Sequence, residues 1–161
     1  MLQKISPKKI RAHGGSFAIV ASKYNSRYVD AMLRAAKAEI LRAGGQVQIV
    51  RVPGAHEIPV VAARLARSNF FAGIICLGVI LRGATTHAQH IGEAVSHALM
   101  QIQIQHEVPV IHEVLLLENE QQAKERCLNK PHNRGTEAAQ TALAMARVMK
   151  NLPERLGDIP F

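Results

Sequence analysis

The chain has 161 residues, enough for one domain with a real hydrophobic core and too few for two. Hydrophobic residues make up 48% and aromatic ones only 4%, so the core must be aliphatic, and no apolar run approaches the roughly 18 residues that span a bilayer. The formal charge is +8, and residues 1–15 supply Lys4, Lys8, Lys9 and Arg11 with no acid.

A basic surplus invites a nucleic-acid partner. The scarcity of aromatics for stacking and the lack of a nucleic-acid motif point instead to a solvated basic segment plus a site for an anionic small molecule. "MLQKISPKKIRAHGG" lacks the apolar centre and cleavage site of a secretion signal. Cys76 and Cys127 read as small core residues rather than a disulfide framework. The expectation is a cytoplasmic protein with neither membrane nor nucleic acid as partner.

After the basic segment, "SFAIVAS" (16–22) predicts a buried strand. Val29, Leu33, Ala36, Ile40 and Ala43 then recur at helical spacing, and the glycines at 44–45 supply a stop. "VQIVRV" (47–52) predicts the second strand, and Ile58, Ala62, Leu65 and Ala66 mark one face of the next helix. "AGIICLGVI" (72–80) is continuous enough to be a strand buried on both faces. A helix from about Thr86 to His106 follows, with Ile91, Val95, Ala98 and Ile102 in register. "VPVIHEVLLL" (108–117) predicts the fourth strand. A short helix over about 119–127, a loop at "NKPHNRG" and a last helix through Ala138, Ala142, Met145 and Met149 complete the domain. Strands alternating with helices of a dozen residues imply parallel pairing through right-handed crossovers. The predicted fold is α/β: a three-layer sandwich around a four-stranded parallel sheet, over residues 16–150, between a basic segment (1–15) and an irregular tail (151–161).

Ligands of such sheets bind beyond the carboxyl ends of the strands. "SKYN", "PGAHE", "LRGATTH" and "HEVLLLENE" occupy those positions and should converge. In "RGATTH", Thr86 and Gln89 have capping-box spacing, Gly83 permits close backbone approach, and the amides around Ala84 and Thr85 lie at a helix N-terminus, a ready anion site. The same residues also suit an ordinary glycine turn and cap. His87 sits in the first helical turn, where the helix dipole disfavours an imidazolium, so a neutral ring that exchanges protons near neutrality fits. His87 and His90 form an H-x-x-H pair, but no third ligand stands nearby and no metal is expected. Glu57 opens a helix, either as dipole compensation or as a ligand contact. Tyr24 reads either as a stacking platform or as a core aromatic, and Arg126 and Arg134, which flank a loop, as solvated surface charges.

"FAIVASKYN", "VPGAHEIP", "LGVILRGATTHAQHI", "VPVI" followed by "ENEQQAKER", and "NRGTEAA" resemble, in order and spacing, the lumazine synthase family over about residues 16–150. The specific motifs are G-A-x-E-[IL]-P and R-G-x-T-x-H. The resemblance implies a flavodoxin-like fold and a transferase of riboflavin biosynthesis. Its reaction condenses 5-amino-6-(D-ribitylamino)uracil with 3,4-dihydroxy-2-butanone 4-phosphate to 6,7-dimethyl-8-ribityllumazine, phosphate and water, with no metal and no organic cofactor. By position, the resemblance assigns Tyr24 to stacking on the pyrimidine, Ala55, His56 and Glu57 to the ribityl chain, and Val79, Ile80 and Leu81 to backbone contact with the pyrimidine. It assigns Ala84 and Thr85 to the phosphate amides, Arg126 to clamping the phosphate, and His87 to proton transfer. His112 stands where the family usually has a Phe wall from the neighbouring subunit, Glu113 where it has Gly, and Arg134 where many members have Lys; His56 replaces an aromatic or aliphatic residue. His112 and Arg134 are counted with the substrate-binding set. The resemblance further implies a pentamer with sites shared between subunits, an icosahedral shell of twelve pentamers, and a functional link to riboflavin synthase. "IRAHGGS" is a candidate to extend a neighbour's sheet edge. The alternative from another class is a non-catalytic flavin- or lumazine-binding shell protein on the same fold, suggested by the altered 112–113 pair.

Overall fold

The computed structural model describes residues 15–152; the readings made of the basic segment at 1–14 and of the tail at 153–161 lie outside the described residues. Four strands, β1 (Ser16–Ser22), β2 (Gln46–Val52), β3 (Gly73–Leu81) and β4 (Val110–Leu117), form one all-parallel sheet in the order β2-β1-β3-β4. Helices α1 (Ser26–Arg42), α4 (Glu120–Ala123) and α5 (Arg134–Asn151) cover one face, and α2 (Ile58–Arg67) and α3 (His87–His106) the other. The expected three-layer architecture is therefore the observed one.

Alternation along β3 divides the core in two. Ile75, Leu77 and Val79 pack toward α1 and α5 with Phe17, Ile19, Met32 and Leu143. Ile74, Cys76 and Ile80 pack toward α2 and α3 with Val20, Ile58, Val95 and Leu99. Each such aliphatic side chain contributes about 1.5–3 kcal/mol on full burial. Both cysteines are buried and free, as small core residues should be.

Local chemistry ends the elements. Gly44, at φ 83, stops α1 in the left-handed region that glycine tolerates. Pro59 sits at the start of α2, where a missing amide costs nothing. Two local expectations fail. The Thr86–Gln89 capping box does not form, because Thr86 has near-helical angles (φ −75, ψ 0) that keep its hydroxyl from turning back, and Gln89 donates to Glu93 instead at 2.8 Å. A box-like closure appears at the helix before it: the Glu57 carboxylate accepts the Gly54 N–H at 2.9 Å. The predicted short helix over 119–127 is α4 followed by a π-helical turn at Lys124–Leu128, and "NKPHNRG" holds a 3-10 turn, Lys130–His132, before α5 begins.

The two sheet edges differ. The even-numbered amides of β4 point outward, since its odd-numbered carbonyls at Pro109 and Leu117 serve β3. Two of these outward amides are capped by side chains, Val110 by Gln103 Oε1 (2.9 Å) and Val114 by His112 Nδ1 (3.1 Å), and just past the strand Glu118 is capped by Gln122 Oε1 (2.9 Å). On β2 the even residues serve β1, and the outward amides of Val47, Ile49 and Arg51 have no such caps among the described residues. Among the described residues, one edge is thereby partly capped against strand addition and the other is not. Because His112 Nδ1 accepts the Val114 N–H, its proton rides on Nε2 and is donated to Ser96 Oγ at 2.7 Å, while Ser96 donates to the Gly92 carbonyl at 2.7 Å. Ser96 and His112 are thus not a nucleophile–base pair.

Two outcomes are expected. A Cβ at Gly135 would collide with the backbone carbonyl of Met32 in α1, so G135A should cost on the order of 3 kcal/mol, seen as a lower denaturation midpoint; an unchanged midpoint would contradict the close helix approach. Burial pushes the His112 pKa below the ordinary imidazole value, against a smaller opposing contribution from its own backbone. The unfolded chain then binds the proton more readily, so His112 contributes stability above about pH 6.5 that is lost as the pH falls. Thermal midpoints from about pH 7.5 to about pH 5 should fall less steeply in H112F than in the parent; parallel slopes would refute this.

Candidate active site

A cleft of about 970 Å³ opens at the carboxyl ends of β1, β2 and β3. Tyr24 and Asn25 come from the turn after β1, and Gly54, Ala55, His56 and Glu57 from the turn after β2. Val79, Ile80, Leu81, Gly83, Thr85 and His87 come from the end of β3 and the start of α3, whose Ala88, His90, Ile91 and Ala94 complete the wall. Three of the four expected segments therefore converge because parallel strands deliver their carboxyl ends to one side. The fourth does not. β4 lies beyond β3 at the sheet edge, and its Val114 and Leu116 instead line a separate open groove of about 620 Å³ with Arg82, Ser96 and His97.

The Tyr24 side is settled by exposure. Tyr24 is 74% exposed and available as a flat platform, whereas Tyr28, one helical turn on, takes the core position. Its turn is held by a residue that the sequence reading passed over. Asn25 adopts a left-handed conformation (φ 54), and its Nδ2 donates to the Val79 carbonyl at 2.7 Å, tying the turn to the end of β3. The available signal was the residue type, since Asn is among the few non-glycine residues that tolerate φ above zero.

Across the cleft, His87 is the first residue of α3 and exposed, with its N–H reaching Thr85 Oγ1 at a long 3.4 Å. The start of α3 lies at the cleft beside Gly83 and Thr85, and a helix N-terminus suits an anion. Ala84 is exposed in the same turn without lining the cleft. His56 and Glu57 are both exposed on the 3-10 turn Ala55–Glu57. No Lys or Arg stands among the cleft-lining residues. Among the described residues, no group of three or more His, Cys, Asp or Glu is placed to hold a metal ion.

His112, Arg126 and Arg134 do not line this cleft. The Arg134 guanidinium is occupied: Nε and Nη2 grip the two oxygens of Glu113 at 3.0 and 2.9 Å, and Nη1 meets Glu137 at 2.7 Å. It is neither a solvated charge nor a free anion contact. Glu113 is buried, and that burial pushes its carboxyl pKa up against the pull of Arg134. Burial, with Glu113 nearby, raises the Cys127 thiol to about 11. Arg126 lies half-buried on the π-helical turn and makes no hydrogen bond or ion pair among the described residues, while its charge favours the ionised forms of Glu113 and Cys127 nearby.

The family model for 6,7-dimethyl-8-ribityllumazine synthase matches residues 14–150. Among similar proteins, the 6,7-dimethyl-8-ribityllumazine synthase of Stenotrophomonas maltophilia (strain R551-3) is 37% identical over 140 residues, covering 85% of this chain and 90% of the relative. That of Xanthomonas oryzae pv. oryzae (strain PXO99A) is 37% identical over 147 residues, covering 89% and 96%. That of Xanthomonas euvesicatoria pv. vesicatoria (strain 85-10) is 36% identical over the same length and shares. With the match running through every strand of the sheet and every segment of the cleft, the chain belongs to the 6,7-dimethyl-8-ribityllumazine synthase family.

Proposed function

We infer that this protein is a transferase that condenses 5-amino-6-(D-ribitylamino)uracil with 3,4-dihydroxy-2-butanone 4-phosphate to 6,7-dimethyl-8-ribityllumazine, and that its active site is shared between subunits. The observation that carries this reading is the content of the cleft: an aromatic platform, a carboxylate, helix-start amides and imidazoles, but no permanent cation. A phosphate entering it gains the partial charge of a helix terminus and needs a guanidinium from elsewhere.

In this reading Tyr24 stacks on the pyrimidine, whose polar edge meets the backbone of Val79, Ile80 and Leu81. Ala55, His56 and Glu57 hold the ribityl hydroxyls; Glu57 accepts from Gly54 through one oxygen, which leaves acceptor capacity on the carboxylate for a hydroxyl donor. Ala84 and Thr85 present the amides for the phosphate, and His87 beside them moves protons as the amine adds to the ketone and phosphate departs. Much of the acceleration comes from holding the two substrates together, with one proton shuttle adding the rest. Arg126 of a neighbouring copy supplies the guanidinium for the phosphate, and His112 of that copy a wall. Arg134 serves indirectly, through Glu113.

The shared site requires a homo-oligomer, read as a pentamer and further as an icosahedral shell of twelve pentamers. The edge asymmetry supports a ring: the uncapped edge of β2 can accept a strand from the next chain, while the edge of β4 is partly capped. The turn ahead of α5 is short, as the shell reading needs. A cytoplasmic location and a functional link to riboflavin synthase complete the reading. No helix among the described residues is long and apolar enough to cross a membrane. The relatives are named for the enzyme, which favours catalysis over a purely structural shell.

Mixing the protein with both substrates should produce the absorbance of the lumazine product, and a protein that binds product without forming it would establish the non-catalytic alternative. R126A should raise the KM for the butanone phosphate about tenfold or more, since a charge-assisted phosphate contact is worth roughly 1.5–3 kcal/mol, and leave aminouracil binding nearly unchanged. Equal loss for both substrates would instead indicate misassembly.

A further inference from the structure

The residue ahead of α5 has two attachments that serve different ends. Asn133 is 8% exposed, with an extended backbone (φ −68, ψ 119) at the N-cap of the helix. Its Oδ1 accepts the Gly135 N–H at 2.8 Å, an ordinary capping bond. Its Nδ2 reaches in the other direction and donates to the Cys127 carbonyl at 2.6 Å, within the π-helical turn Lys124–Leu128. Capping needs only the oxygen. The amide nitrogen is left for the turn, and of the usual capping residues only Asn carries the acceptor and the N–H donor on two separate atoms.

The turn needs such a partner. A π-helical turn is a rare conformation, and one at a helix end leaves backbone carbonyls without intrahelical donors. Cys127 O lies beside a wholly buried side chain, where an unpaired carbonyl is costly. The residue after Arg126 is thus fixed twice, by its thiol in the core shared with α1 and by its carbonyl on Asn133. These two fixings orient the backbone from which the Arg126 side chain departs. The anchor is rigid, because Gly135 lies directly against the Met32 backbone of α1.

We propose that Asn133 is the positioning residue of the phosphate clamp: through Cys127 O it holds the π-helical turn that aims Arg126, in addition to capping α5. This rests on the reading of Arg126 as the phosphate contact. A clamp misplaced by an ångström loses much of its bidentate hydrogen bonding, so orientation is felt in the binding of that substrate alone.

N133S and N133D separate the two roles, since both keep a capping oxygen for Gly135, while Asp has no donor and Ser only a shorter hydroxyl in place of the amide that reaches Cys127. Steady-state kinetics on the assembled, folded variants should show the KM for the butanone phosphate raised about fivefold or more, with the KM for the aminouracil changed less than about twofold. In the R126A background N133S should add almost nothing, because its effect travels through Arg126. The inference is overturned if R126A raises that KM while N133S and N133D do not, if both substrates weaken equally, or if N133S adds its full factor to R126A. If R126A itself leaves the KM for the phosphate unchanged, the clamp reading falls, and this inference falls with it. Should either Asn133 variant fail to assemble, the other carries the comparison.

Discussion

Burial of β3 on both faces is the constraint on which everything else depends. A strand with Ile, Cys and Leu on successive positions can be satisfied only between two helical layers, which forces right-handed crossovers and parallel neighbours. Parallel pairing then delivers the ends of β1, β2 and β3 to one side of the sheet, with α3 starting there. The cleft is a consequence of this geometry before any of its residues is chosen. Val79 belongs to both parts: its side chain fills the core against α5, and its carbonyl anchors Asn25 and so the Tyr24 turn.

What the cleft lacks is as informative as what it holds. Its lining offers a helix start and imidazoles, but no lysine or arginine among the described residues. Elsewhere on the chain Arg134 is paired with Glu113 and Glu137, while Arg126 makes no ion pair among the described residues and sits on a turn pinned by Asn133. The Glu113–Arg134 pair therefore commits one of the two guanidiniums to structure. Such a pair contributes little net stability because desolvation offsets its attraction, consistent with burial pushing the Glu113 carboxyl upward even beside a guanidinium.

The fold was legible from the sequence because periodicity reports burial directly: each of the four strands stands within two residues of its predicted place, and the four long helices contain the apolar positions that marked them or end beside them. Cleft residues at strand ends were legible for the same reason. The misses share a cause. Whether Thr86 or Glu57 closes a helix start depends on backbone angles, which residue spacing does not encode. The π-helical turn at Lys124–Leu128 reads as plain helix, since one inserted residue leaves the apolar pattern nearly intact. The Glu113–Arg134 contact joins residues 21 apart, and Asn25 binds a carbonyl 54 residues away; such pairings arise only when the sheet is assembled.

The proposed shared site requires that one chain supply the cleft and another its guanidinium. Co-assembling H87A with R126A chains tests this most directly. Neither parent oligomer has an intact site, but in a randomly mixed ring about one interface in four joins a His87-bearing cleft to an Arg126-bearing neighbour. Lumazine formation in the mixed oligomer should rise well above the sum of the two parents measured separately. Activity equal to that sum, in oligomers shown to be mixed, would contradict the shared site and place both residues in one chain's cleft.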